Sequence, residues 1–379
     1  MSNKLRYIGL MSGTSADGID LALVEFDPDN TQGANGAKLV ASYYQAYDDS
    51  TQQKIMSLYD PSDNEIDRAG SLNVELAQQF AHAILRFLQQ ENLTHADITA
   101  IGSHGQTIRH RPVKNAEISA PFTLQIGCLQ TLALLTNIRV VGDFRTKDIA
   151  LGGQGAPLVP AFHQAIFSST EKDVFVVNIG GIANITFLPQ NAPEKTTGFD
   201  TGPGNALMDF WFSQHQSGRF DAQGQWANSG NICPKMLSKM LSDPYFQQTA
   251  PKSTGREYFN AQWLAKHTKN STLKPADVQA TLTALTAETI SQEIQQLSTK
   301  SDVYLCGGGA KNNYLVSLLN QKLNKHFITT TQAKNINSDA LEAMAFAWLA
   351  LAFDKNIFSN IPAVTGASKP AVLGISVNP

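Results

Sequence analysis

Residues equipped to handle phosphate and protons fall in a few short runs far apart in the chain. The first is Leu10-Met11-Ser12-Gly13-Thr14-Ser15-Ala16-Asp17-Gly18-Ile19-Asp20, a small polar turn between two apolar runs. Gly13 and Gly18 let the backbone close tightly on a ligand. Ser12, Thr14 and Ser15 place hydroxyls beside backbone N–H groups, and such a turn cradles phosphate oxygens without a basic side chain. An ordinary hairpin would use the same residues merely to turn. Val174 to Leu188 repeats the design around Gly180-Gly181. A third cluster, Gly307-Gly308-Gly309, follows the apolar run from Val303 and leads into a helix from about Asn313. Asp200 lies in Gly198-Phe199-Asp200-Thr201-Gly202-Pro203-Gly204. There a carboxylate either projects from a glycine-bounded loop or caps its own backbone in an Asx-turn.

His104, Gln106, Thr107 and Arg109 offer the donors and acceptors that a hydroxylated, carboxylate-bearing ligand requires. A lone His is more often structural, so His104 is assigned to positioning. Arg145 is either a carboxylate clamp or half of a surface ion pair. Glu342 sits among Ala343, Met344, Phe346 and Ala347. A carboxylate on such a face needs a partner, either a ligand hydroxyl or the helix's own first turn.

The elements that must position these groups alternate between strands and helices. The two glycine turns each join a pair of strands. Asp27 to Ala37 reads as a loop and Lys38 to Tyr47 as a strand. Leu72, Leu76, Phe80, Ile84 and Leu88 recur at helical spacing within Glu65 to Gln90. Ile98 to Ser103 reads as a short strand ending at the polar cluster around His104, the place where open α/β sheets put ligand groups. Gly142 to Pro160 reads as a crossing between lobes. Phe210 to Gly255 reads as irregular, and Ala276 to Leu297, Asn312 to Leu323 and Ser338 to Phe353 as helices. The expected division is residues 1–141 for lobe I and 142–361 for lobe II, with the tail 362–379 packed on lobe I.

A chain of 379 residues holds two domains or one large one. Its net charge of −3 and lack of a long basic run argue against nucleic acid as a partner. Three scattered cysteines, Cys128, Cys233 and Cys306, suit reduced thiols in a reducing compartment. With no signal-peptide pattern and no apolar run of membrane-spanning length, a cytoplasmic protein free of membrane is expected.

Two glycine hairpins followed by a strand–GGG–helix resemble the actin, heat-shock-70 and sugar-kinase superfamily. That likeness implies a two-lobed α/β fold with a duplicated mixed-sheet core and ATP in the cleft between lobes. More narrowly, five motifs resemble the anhydro-N-acetylmuramic acid kinases: the Leu10 to Asp20 run, Gly102-Ser103-His104-Gly105-Gln106-Thr107, Gly152-Gly153-Gln154-Gly155-Ala156-Pro157, Asn178-Ile179-Gly180-Gly181, and Phe199 to Asn205. The resemblance implies ATP-dependent conversion of 1,6-anhydro-N-acetylmuramic acid to N-acetylmuramic acid 6-phosphate in cell-wall recycling, by a homodimer using Mg²⁺. It implies Asp200 as general base, Asp143 being the rival. It also implies Gly13 through Asp20, Gly180, Gly181 and Gly307 to Gly309 for the nucleotide, and His104, Gln106, Thr107, Arg145 and Glu342 for the sugar. Leu10 and Asn178 stand where many superfamily members carry Asp, so the metal ligands stay unassigned. An ordinary hexose kinase, or an actin-like module without enzymatic activity, would share the fold.

Overall fold

The computed structural model describes residues 4–27, 36–116, 118–269 and 272–379. Most of the loop expected between Asp27 and Ala37 therefore lies outside the described residues. Strands β1 (Leu5–Ser12), β2 (Gly18–Phe26), β3 (Ala37–Ala46), β4 (Ala100–Arg111), β5 (Phe122–Ile126) and β6 (Val140–Gly142) build the first sheet. Strands β7 (Asp173–Ile179), β8 (Ile182–Leu188), β9 (Thr197–Pro203), β10 (Ser301–Cys306) and β11 (Phe327–Thr330) build the second. The last strand, β12 (Ile375–Val377), returns to pair with β6.

Both sheets follow one plan. In the first, β1–β2–β3 form an antiparallel meander and β4 and then β6 add in parallel beside β1. In the second, β7–β8–β9 form the meander and β10 and β11 add in parallel beside β7. This is the duplicated mixed-sheet α/β core that the superfamily resemblance implies. Each sheet has its own apolar core. The long helix Glu65–Gln90 buries the expected stripe of Leu72, Leu76, Phe80, Ile84 and Leu88 in the first.

The chain divides into two compact units, residues 1–166 with 335–379, and residues 167–334. The boundary expected after residue 141 thus falls inside the first unit. Gly142 to Pro160 does not cross between units, because buried Asp148 anchors it locally. The Asp148 carboxylate accepts from Gly155 N–H, Asn360 Nδ2 and Thr365 Oγ1, each at 2.7 Å. The helix Leu341–Asp354, expected in the second lobe, packs on β1 and β4. Gly9 and Gly102, cross-strand partners on those strands, make room for it. A Cβ on Gly9 would lie 1.7 Å from the Ala343 carbonyl oxygen, and one on Gly102 1.9 Å from that of Phe346. The helix backbone therefore rests directly on the sheet.

Three local expectations change. Strand β4 does not stop at Ser103 but runs to Arg111, because Gly105 takes a left-handed φ of 71° and the strand resumes against β5. The supposedly irregular stretch from Phe210 contains the end of the helix Ala206–His215 and the helix Pro234–Leu241. Asp200 lies within β9, opposite Asn184, rather than in a loop.

Candidate active site

The first glycine turn is held from behind by its carbonyls. Tyr59 Oη donates to Thr14 O (2.9 Å), Gln52 Nε2 to Ala16 O (3.0 Å), Tyr44 Oη to Asp17 O (3.0 Å) and Gln106 Nε2 to Gly13 O (3.1 Å). Among the described residues, none accepts from the N–H groups of Thr14 or Ser15. Carbonyls turned inward leave N–H groups turned out, the arrangement that receives an anion. Thr14, Ser15 and Asp17 are exposed. Ala16 and Ile19 are fully buried and pack in the core, so their side chains are not ligand groups. Gly18 is required by packing, since a Cβ there would meet Gln45 O at 2.5 Å.

The second turn uses the same device. Gly180 O accepts from Asn205 N–H (2.7 Å), and Gly181 O from the N–H groups of Gly204 (2.9 Å) and Ala206 (3.1 Å). A Cβ on Gly180 would meet nothing nearer than Ile182 O at 3.5 Å, so that turn has an open face. Of the third cluster, Gly307 and Gly309 are pressed against Asn178 and Ile179, whereas Gly308 is open.

The residues expected at the sugar separate into two sets. Gln106 is fully buried under the first turn, where it also accepts from Ser12 Oγ (2.6 Å). It shapes the first glycine turn, and its amide is taken up by Ser12, Gly13, Tyr59 and Thr107. Arg109 is tied to Glu65 and to Leu58 O, and Thr107 Oγ1 accepts from Gln125 (3.1 Å). His104 donates from Nδ1 to Gly105 O (2.9 Å) and accepts at Nε2 from Arg145 Nε (3.0 Å) and Nη2 (2.9 Å). Both ring nitrogens are thus committed. Burial, and then the Arg145 charge, pull its pKa down to about 3, so the ring is neutral. Arg145 also donates from Nη1 to Gly155 O (2.7 Å). Burial lowers it to about 10, against the charges of Glu342 and Asp148, and it stays cationic at neutral pH. Glu342 is reached by solvent yet crowded by protein. That crowding raises its carboxyl pKa, and Arg145 opposes the rise.

In the second unit, Asp200 is fixed by a loop some fifty residues on. Thr254 N–H (2.9 Å) and Ser253 Oγ (3.0 Å) both donate to Oδ2, while Lys252 O accepts from the Asp200 N–H (3.1 Å). Among the described residues none donates to Oδ1. Burial raises the carboxyl pKa despite those two donors, and Glu257 adds to the rise. Asp143 sits just past β6 in a left-handed backbone with φ of 52°.

The family model for anhydro-N-acetylmuramic acid kinase matches residues 5–379. The chain belongs to that family. It is 55% identical to the anhydro-N-acetylmuramic acid kinase of Colwellia psychrerythraea over 98% of this chain and 97% of that one. Identity is 49% to the kinase of the same name from Saccharophagus degradans, with 97% of each chain covered. It is 47% to that from Shewanella denitrificans, covering 99% of this chain and 98% of the other.

Several residues of this kinase-family site carry no signal in the sequence. Tyr47, through Ser12, and Tyr59 brace the first turn, and Ser253 and Thr254 orient Asp200. Each acts through a partner distant in the chain, where spacing says nothing. Asp20 was visible as the end of the turn, but its setting was not. Burial, followed by the charges of Asp17, Glu342 and Asp339, raises it to about 6.

Proposed function

We propose that the protein is an ATP-dependent kinase that opens 1,6-anhydro-N-acetylmuramic acid and releases N-acetylmuramic acid 6-phosphate, within the cytoplasmic recycling of cell-wall sugars. The observation that carries the mechanism is Asp200, anchored, among the described residues, through Oδ2 alone, with Oδ1 left to accept a proton. In the anhydro sugar O6 is already bonded to C1, so there is no 6-hydroxyl to deprotonate. Water attacks C1 from the opposite face as the C1–O6 bond breaks, and Asp200 takes the water's proton. The freed O6 bonds to the γ-phosphorus, the bond from phosphorus to the β–γ bridging oxygen breaks, and ADP leaves. Capture of O6 by phosphorus removes the need for a second carboxylic acid to protonate it.

The outward N–H groups of each turn suit phosphate oxygens, and the open face of Gly308 suits adenosine. Arg145, oriented by neutral His104, and Glu342 hold the sugar with Thr107. Burial first, and then the charges of Asp17, Glu342 and Asp339, raise the Asp20 pKa, and a divalent cation would relieve that negative charge. Among the described residues no three His, Cys, Asp or Glu form a metal site. Asp17 and Asp20 would hold Mg²⁺ directly or through its water shell, and the ion would neutralise phosphate charge. Among the described residues no helix is long and apolar enough to cross a membrane. A homodimer follows from the family resemblance alone.

Incubation with ATP, Mg²⁺ and the anhydro sugar, with product mass recorded, tests this reading. A product heavier than substrate by water plus a phosphoryl group supports it. Phosphorylation of glucose or N-acetylglucosamine with no action on the anhydro sugar contradicts it.

A further inference from the structure

The second glycine turn has a basic side chain over it that the sequence motifs do not include. Arg256 places Nε and Nη2 each 2.7 Å from the point where a Cβ on Gly181 would stand. Only glycine at 181 lets the guanidinium lie there. Arg256 is exposed, and among the described residues it has no hydrogen bond or ion pair. It lines a cavity of about 420 Å³ with Asp209, Arg219 and Ser213, so the side chain has room to move. Asp209, the carboxylate that senses its charge, keeps a pKa raised to about 6, chiefly by burial. The arginine is thus a cation next to a turn for whose Gly180 and Gly181 N–H groups no acceptor lies among the described residues, not half of a closed pair.

Its backbone carries a second message. Lys252 to Arg256 is one continuous segment. Its start receives the Asp200 N–H, its middle holds Asp200 Oδ2, and its end covers Gly181. The placement of the proton acceptor and the placement of the cation are therefore mechanically linked.

The geometry points to Arg256 as a ligand of the terminal phosphates of ATP, neutralising the γ-phosphoryl group as it passes from the β–γ bridging oxygen to the acceptor oxygen. A guanidinium fork matches two phosphate oxygens at once, and an arginine supplied within the chain performs this service in other phosphoryl-transfer enzymes. The inference rests on the proposed ATP-dependent reaction, but its test does not need the sugar.

Calorimetric titration of folded wild type, Arg256→Gln and Arg256→Lys with ATP and with AMP decides it. Arg256→Gln should weaken ATP binding tenfold or more and leave AMP binding unchanged. Arg256→Lys should recover part of the loss, keeping the charge without the fork. An unchanged ratio of ATP to AMP affinity in Arg256→Gln overturns the assignment. Equal weakening of both nucleotides also overturns it, because that is the mark of a merely structural role. A wild type that binds no ATP overturns the kinase reading as well, so the two failures are distinguishable.

Discussion

At the scale of single residues, Asp200 has the sharpest consequence. An amide accepts no proton at neutral pH, yet Asn preserves shape and the oxygen that Thr254 and Ser253 hold. Asp200→Asn should keep both substrate affinities and lose about 10³-fold or more in kcat, in line with removal of a general base. Near-normal turnover would bring Asp143 forward. The pH profile gives a second check. Asp200 works only when ionised, and its pKa in the folded protein is raised. Activity should therefore be full well above that pKa and fall as pH drops through it, at a higher pH than an ordinary carboxylate would give. An acid limb at or below the ordinary value would contradict this. At Gly13 a Cβ would stand 3.6 Å from its nearest neighbour, Ser15 Oγ, so the protein itself tolerates a side chain there. Gly13→Val should fold yet bind ATP more weakly, which nucleotide titration measures; unchanged affinity would remove Gly13 from the phosphate turn.

His104 links residue chemistry to stability. Its folded pKa of about 3 lies below the unfolded value near 6.5. Between those values the unfolded chain takes up the proton and the folded one does not. Its contribution is fully present above about pH 6.5 and is lost as pH falls, by at most about 1.4 kcal/mol per pH unit. Thermal melts of wild type and His104→Gln at pH 7 and 5 test this. The variant should lose less stability between the two, and an equal loss would refute the assignment.

At the scale of elements, the contact of helix Leu341–Asp354 with β1 and β4 decides where Glu342 stands. Gly102→Ala puts a methyl group into a backbone carbonyl. We expect a loss of about 3 kcal/mol, as for severe overpacking, together with weaker sugar binding as Glu342 moves. A urea midpoint within error of wild type would mean that the helix lifts freely. The elements also show what sequence can and cannot reveal. The hairpins and the Glu65–Gln90 helix were legible because their signals are local: glycines between apolar runs, and one apolar stripe. The continuation of β4 was hidden because polar residues read as a loop unless β5 is known to pair with them. Gly9 and Gly102 were opaque as packing residues, since their partner lies far along the chain. Asp148 was missed for the same reason, its partners Asn360 and Thr365 standing 212 and 217 residues away.

At the scale of the whole molecule, one sheet plan occurs twice, and each copy begins with a hairpin whose turn is tied back by its carbonyls. Duplication was readable in the paired hairpins, while the division of the chain was not. The first unit closes only when residues 335–379 return to it, and no local pattern marks that return. The chemistry assigned to this fold makes one demand above the others, that solvent water attack carbon and not phosphorus. Single turnover with ATP and 1,6-anhydro-N-acetylmuramic acid in ¹⁸O-water measures it directly, read before the new anomeric hydroxyl exchanges with solvent. The mechanism predicts one ¹⁸O at C1 of N-acetylmuramic acid 6-phosphate and none in the phosphate; label in the phosphate, or a phosphorylated sugar with its anhydro bridge intact, would contradict it.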